Sequence, residues 1–427
     1  MTVKTYLKIV LNLLLFQWSA ISTANDLYLT AARMVDTASA VLVHSPAIIV
    51  SGNRVKAVGT AATLAKPESA KAIDLGDTTL LPGFMDMHVH LSSAAKDVSF
   101  LEGQLQSIPR QTVNAVRNAR TTLMAGFTTV RDLGSPGVSV IAVRDGINAG
   151  DIPGPRIWAS GPALGITGGH CDNNFFPPEL EVRRDGVADG PWAAREKVRE
   201  VIKLGANTIK LCATGGVFSR GTTVGAQQYS LQEMRAIVEE SHQRGMVVAA
   251  HAHGTDGIKA AIEAGVDSVE HASILDDEAI RMAKKRGTVL SMDIYNTDYT
   301  QSVGRANGIP EENLAKDREV AEVQRESFRT AVKAGVNMVF GSDAAIYPHG
   351  ENAGQFAIMV EYGMTEMEAL QAATVDAAAL LKQEDLGVIA PGSYADIVAV
   401  DGNPLENINA TESVLFIMKD GVVYKSL

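Results

Sequence analysis

The chain has 427 residues, 46% hydrophobic and 20% charged, so it can bury a large core and does not read as disordered. Lys and Arg number 38 against 49 Asp and Glu, a formal charge of −11, which argues against nucleic acid as a partner because phosphate binding needs a basic face. Its two cysteines, Cys171 and Cys212, exclude a disulfide scaffold and a Cys-rich metal module.

Residues 1–24 read as an export signal. Lys4 and Lys8 form the basic start, 9–16 is an apolar run broken only by Asn12, and Ser22-Thr23-Ala24 offers the small residues a signal peptidase prefers. The run is too short to cross ~30 Å of hydrocarbon. The pattern predicts an exported protein, periplasmic or secreted, with no stable membrane span once the signal is removed. An oxidising compartment permits a Cys171–Cys212 bridge, and nothing in the sequence demands one.

Short strands follow at 27–29, 47–50, 54–59 and 71–75, with Gly52-Asn53 as a turn signal. The far end repeats the style at 395–400, 414–418 and 422–424, with Asp420-Gly421 as a hairpin turn. These ends predict a small β-sandwich built from 25–83 plus 383–427. The middle, 84–382, alternates strand and helix patterns. Eight short apolar strands fall at 83–90, 128–133, 156–160, 208–213, 247–251, 268–271, 289–293 and 338–343. Amphipathic helices lie between them, for example at 193–204, 230–244 and 256–264. Eight such units over roughly 300 residues predict an α/β chain with a closed (β/α)8 TIM-type barrel.

Ionisable residues gather at the carboxyl ends of these strands. His88 and His90 end the first, Lys210 lies in the fourth, His251 ends the fifth, His271 the sixth and Asp343 the eighth. Barrel enzymes build their sites there. Residues i and i+2 of a strand share a face, so His88 and His90 can grip one cation together. A single strand histidine is ordinarily a satisfied core residue. Two alternating ones, joined by two more and a carboxylate, read as a metal site suited to Zn²⁺, with Mn²⁺, Co²⁺ or Fe²⁺ as alternatives.

The motif Pro82-Gly83-Phe84-Met85-Asp86-Met87-His88-Val89-His90, with the later Lys, His, His and Asp, resembles the amidohydrolase superfamily. Pro391-Gly392-Ser393-Tyr394-Ala395-Asp396 looks like the return to the flanking β-domain of such enzymes. The segments at 208–216 and 251–254 are similar to the branch of imidazolonepropionase-like proteins and metal-dependent Xaa-Pro and Xaa-Arg/Lys dipeptidases, which includes ochratoxin-hydrolysing enzymes. The resemblance implies two divalent metal ions. His88, His90 and Asp343 would hold one, His251 and His271 the other, and a CO2-derived carbamate on Lys210 would bridge them. An unmodified lysine is a poor ligand because its ammonium has no lone pair.

The implied mechanism is hydrolysis by water acidified between two cations, with Asp343 as general base and then acid. His170, on the Gly168-Gly169 turn after the third strand, is the expected donor to the developing oxyanion. His44 and His242 read as structural or solvated. Substrate contacts must come from the long loops after strands three, four and seven. Their aromatic and cationic residues suit a small anionic substrate with an apolar part, such as a dipeptide or N-acyl amino acid. Tyr229, His253 and Arg220 are the expected contacts, with His253 alternatively a support for His251. Two other readings compete: a cyclic-amide hydrolase of the imidazolonepropionase or hydantoinase type, and a non-catalytic solute-binding relative. By analogy with related barrels, a homo-oligomer is expected.

Overall fold

The computed structural model describes residues 26–93, 102–103 and 105–427. The expected export signal at 1–24 lies outside the described residues. From the amino end come β1 (Leu27–Thr30), β2 (Arg33–Asp36), β3 (Val41–His44), β4 (Pro46–Ser51), β5 (Arg54–Thr60), β6 (Lys71–Asp74) and β7 (Thr78–Pro82). The middle supplies β8 (Phe84–Val89), β9 (Phe127–Asp132), β10 (Arg156–Ala159), β11 (Ile209–Cys212), β12 (Val248–Ala252), β13 (Ser268–His271), β14 (Val289–Ser291) and β15 (Met338–Val339). The carboxyl end adds β16 (Ile397–Asp401), β17 (Val414–Lys419) and β18 (Val422–Lys425).

The two chain ends share two sheets, ordered β5-β4-β1-β6 and β18-β17-β16-β7-β2-β3. Strand alternation explains how they pack. Ile48 and Val50 of β4 face a core with Leu29, Leu80, Ile397 and Phe416, while Ala47 and Ile49 face a smaller cluster with Tyr28 and Ala70. Burying each large side chain contributes ~1.5–3 kcal/mol. In the β17–β18 hairpin Asp420 and Gly421 both have positive φ, 50° and 73°, the geometry of a two-residue turn. A side chain at Gly421 would collide with the Gly52 carbonyl, so the two turns read from the sequence pack on each other. Strands β2, β3 and β7 lie outside the strands read from the sequence.

Strands β8 to β15 form two parallel arcs, β10-β9-β8 and β11-β12-β13-β14-β15. Parallel bridges Leu164–Leu211 and Val89–Ala344 close them into a barrel. Outside lie α1 (Ile108–Met124), α2 (Ser139–Ala149), α3 (Pro191–Leu204), α4 (Leu231–His242), α5 (Thr255–Ala264) and α6 (Asp277–Arg286). In α3 the buried side chains are Ala194, Val198 and Val201, one helical stripe; Pro191 starts the helix and Gly205, at φ 108°, ends it. A reciprocal Ser230–Glu233 capping box starts α4. Among the described residues no helix is long and apolar enough to cross a membrane.

The eighth barrel strand differs from expectation. It stops at Val339, and the chain turns at Asp343 with φ 54°. Backbone bonds to β8 continue there, from Met87 N to Phe340 O and from Asp343 N to His88 O, and side chains reinforce them. The Asp86 carboxylate accepts from Ser342 N at 3.0 Å, Ser342 Oγ at 2.5 Å and Asn352 Nδ2 at 2.8 Å. Cys171 and Cys212 form a disulfide, their Cα atoms 6.0 Å apart.

Candidate metal centre

Parallel pairing carries the expected residues to one end of the barrel. Cys212 is in register with His251, and Ala252 with His271. His88 and His90 converge on Asp343: their Nε2 atoms lie 3.5 and 3.2 Å from its Oδ1. Atoms each ~2.1 Å from a tetrahedral ion sit ~3.4 Å apart, so this spacing is that of ligands around a common cation. Two donor sets arise, one of His88, His271 and Asp343 and one of His251, His253 and His271, each with ligand atoms within 4.8 Å of one another.

The rings are oriented by what their Nδ1 atoms meet. That of His90 faces the Gly134 carbonyl at 3.0 Å, an acceptor only, so it carries a hydrogen, while Nε2 faces Asp343. Burial by itself lowers this imidazole's pKa, but the hydrogen bond and charge of Asp343 outweigh it and raise the pKa. His271 Nδ1 lies 2.8 Å from Asp293 Oδ1, and His88 Nδ1 3.1 Å from Glu270 Oε2. Carboxylates behind imidazoles are how metal ligands are held in the right tautomer. His251 Nε2 is buried without a hydrogen-bond partner among the described residues. A cation supplies the missing partner, so the donor set fits divalent metal.

Electrostatics agree for His88, His251 and His253. Burial, followed by the charge of Lys210, lowers the His88 imidazole to about 4. Burial and the neighbouring imidazoles hold His251 and His253 well below the usual range. Neutral imidazoles are the form that binds metal. Burial by itself raises the Asp343 carboxyl, but His88, His90 and His271 outweigh it and keep the group ionised. Lys210 is enclosed beside Glu270 and Asp343, and burial lowers its ammonium to about 8. Asp343 and His271 both hold positive φ, 54° and 68°, strain of the kind that clusters at functional sites.

His170 joins the group. Its ring stacks on His251 at 4.1 Å between centroids, and its Nδ1 lies 2.9 Å from Ser219 Oγ. Burial, then the charges of His271 and Lys210, lowers it to about 3, so it is neutral. His253 is buried, stacks on His271 at 4.7 Å and shares its Nδ1 with Ser273 Oγ at 2.7 Å. Tyr229 is a correction. It is fully buried and its hydroxyl donates to the Ala188 carbonyl at 3.0 Å, so the hydrogen expected to meet a substrate carboxylate is already used. Burial also pushes its phenol above the ordinary range. Arg220 is exposed on the loop after β11. His242 pairs with Asp267 on the surface and His44 is exposed.

Several residues escaped the sequence reading. Glu270 is fully buried and joins His88 to Arg131, whose Nη2 lies 2.9 Å from Glu270 Oε1. Opposite charges inside two buried strands were the available signal. Removing one partner of such a pair strands the other charge at a cost of ~3–5 kcal/mol. Asp293, steadied by Asn296 and Gln324, backs His271. Buried His349 follows β15, its imidazole lowered to about 4 by burial.

Gly216 makes the His170–His251 stack feasible. A Cβ there would lie 2.5 Å from His170 Cε1 and 2.7 Å from His251 Cε1. Overpacking of this kind costs ~1–3 kcal/mol. Gly216→Ala is therefore expected to lower kcat/KM roughly 10- to 100-fold. Steady-state kinetics with metal analysis checks this, and wild-type kinetics would show that the two rings need no close stack.

Residues 79–425 match the model of the amidohydrolase family. The chain is 33% identical to the ochratoxinase of Aspergillus niger over 368 residues, covering 81% of this chain and 75% of that protein. Among solved structures, a Xaa-Pro dipeptidase with bound methionine in the active site matches at TM-score 0.87 and 36% identity, covering 94% of this chain and 100% of the other. A prolidase complexed with N-methylphosphonate-L-proline matches at TM-score 0.86 and 32% identity, covering 94% and 100%.

Proposed function

The chain belongs to the amidohydrolase family and is a hydrolase of amide bonds, and from that premise we propose that it cleaves the amide preceding a C-terminal carboxylate. The substrates are dipeptides or N-acyl amino acids, including N-acyl-phenylalanine compounds of the ochratoxin type. The carrying observation is the convergence of His88 and His90 on Asp343 beside His251 and His271, whose ring centroids lie 4.6 Å apart. Its donors suit two divalent ions, zinc first among them. Lys210, enclosed next to both sets, is the residue to bridge them as a carbamate.

When bound, such cations acidify a shared water and polarise the scissile carbonyl. The residues supply the rest. Asp343 is held rigid by its N–H to the His88 carbonyl at 2.7 Å and by Asn296 Nδ2, 3.4 Å from Oδ2. It takes the proton of the attacking water and returns it to the leaving amine. His170, neutral and stacked on His251, offers the N–H of its Nε2 to the charge developing on the carbonyl oxygen, in the tautomer whose Nδ1 accepts from the Ser219 hydroxyl. Arg220 and His253 are the groups assigned to the substrate carboxylate.

Methionine and N-methylphosphonate-L-proline, the ligands of the two similar dipeptidase structures, both carry an amino-acid carboxylate, which supports this choice. The Cys171–Cys212 bridge supports export to the periplasm or the medium, where small peptides are scavenged. The test is kcat/KM for an N-acyl amino acid against its C-terminal amide, on metal-loaded protein. Losing a charge-assisted contact should cost ~1.5–3 kcal/mol, roughly 10- to 150-fold. Equal rates, or faster opening of a cyclic imide than of any dipeptide, would replace this reading by cyclic-amide hydrolysis.

A further inference from the structure

The segment 160–208, between β10 and β11, carries His170 far from the strand it follows. Its tip is the Gly168-Gly169 turn, where Gly168 has φ 70°. Within the segment Asp172 Oδ2 accepts from Gly168 N and Asn174 Nδ2 donates to the Gly168 and Gly169 carbonyls, so the turn is a local unit that still has to be fastened to the barrel. Two hydrogen bonds hold His170: its backbone N–H donates to Gln228 Oε1 at 2.9 Å, and its ring Nδ1 pairs with Ser219 Oγ at 2.9 Å. Both partners sit in the loop after β11, so one loop leans on another. The next residue, Cys171, makes a different kind of tie. Its disulfide reaches Cys212, the last residue of β11 and 1% exposed. Cys212 is in register with His251 on β12, the ring on which His170 stacks. Covalent tie and ring stack thus close a short circuit: His170 to Cys171, across to Cys212, over to His251 and back to His170. Gly165 fits against the bridge, since a Cβ there would lie 2.6 Å from Cys171 Cβ.

We propose that the Cys171–Cys212 disulfide is a positioning element for His170, setting the imidazole over the metal centre by fastening its turn to β11. A hydrogen-bond donor aimed at developing charge works only if it is held before the reaction begins. A crosslink removes the alternatives that a glycine turn would otherwise sample. The activity therefore depends on the thiol–disulfide state. A dithiol reductant breaks the S–S bond, gives two electrons and two protons to form the Cys171 and Cys212 thiols, and leaves as its own cyclic disulfide. The inference rests on the role proposed above for His170.

The experiment compares oxidised and dithiothreitol-reduced metal-loaded protein, with thiol titration and metal analysis of each sample. The same comparison is made on His170→Asn, and Cys171→Ser replaces reduction in a parallel arm. Reduction should lower kcat roughly 10- to 100-fold at nearly constant KM, and should not lower His170→Asn further. Hydrogen exchange of the 166–172 backbone should rise on reduction without a rise across the barrel strands. Unchanged kcat with two titrated thiols, or an equal loss in wild type and His170→Asn, overturns the proposal. If no dipeptide or N-acyl amino acid is turned over, the substrate reading has failed and exchange decides alone. A rise confined to the His170 turn then supports the positioning role; no rise, or a global one, overturns it.

Discussion

Asp343→Asn is expected to lower kcat by ~10²–10⁴-fold while moving KM far less. Asparagine keeps the shape of the side chain and loses both the charge and the proton affinity. In the native site that charge faces His88 and His90 at 3.5 and 3.2 Å, and these partners, with His271, hold the carboxylate ionised against the effect of burial. An ionised group is the one able to take a proton at the start of the cycle. The effect belongs to kcat because proton transfer occurs in the transition state, and ~2.7–5.5 kcal/mol of barrier corresponds to the expected range. Asp343 also belongs to a donor set, so metal content has to be measured on the same sample. A fully loaded Asp343→Asn protein with near-native kcat would mean that another group moves the proton.

Lys210→Ala is expected to abolish most activity and to reduce bound metal from the roughly two equivalents per chain proposed above. The carbamate proposed on Lys210 would supply two oxygens from that position, so added short carboxylic acids should restore part of the activity. Elemental analysis of protein prepared with bicarbonate checks the stoichiometry. Full activity at a reproducible single equivalent would exclude a binuclear centre, and unaltered turnover in Lys210→Ala would remove the lysine from it. The pH dependence has a definite sign. Burial lowers the Lys210 ammonium to about 8, and only the free amine reacts with CO2. At a fixed concentration of dissolved CO2, reactivation of metal-stripped protein by CO2 and metal should therefore accelerate as pH rises toward 8 and level off above it.

His170 shows how the readable and unreadable parts of the site divide. Its place on a glycine turn after the third strand pointed to function, because loops at that end of a barrel carry chemistry. Its stacking on His251 and its partner Ser219 come from packing between two loops and left no mark in local spacing. Tyr229 is the reverse. Its neighbourhood to the 208–216 motif suggested a substrate contact, whereas the fold folds it under Ala188.

The sequence by itself determined the eight-strand alternation, the β-rich ends and the gathering of His88, His90, Lys210, His251, His271 and Asp343 at one end of the barrel. Those features follow from a period of two along a strand and from the rule that strand ends carry the site, both local properties. The tertiary structure decided the rest: Glu270, Asp293 and the Gly134 carbonyl behind the rings, the turn at Asp343 enforced by Asp86, and the Cys171–Cys212 bond. Each joins residues from different strands or loops. A side chain's hydrogen-bond partner is set by where the whole barrel places the opposing strand, and no periodicity within one segment encodes that position.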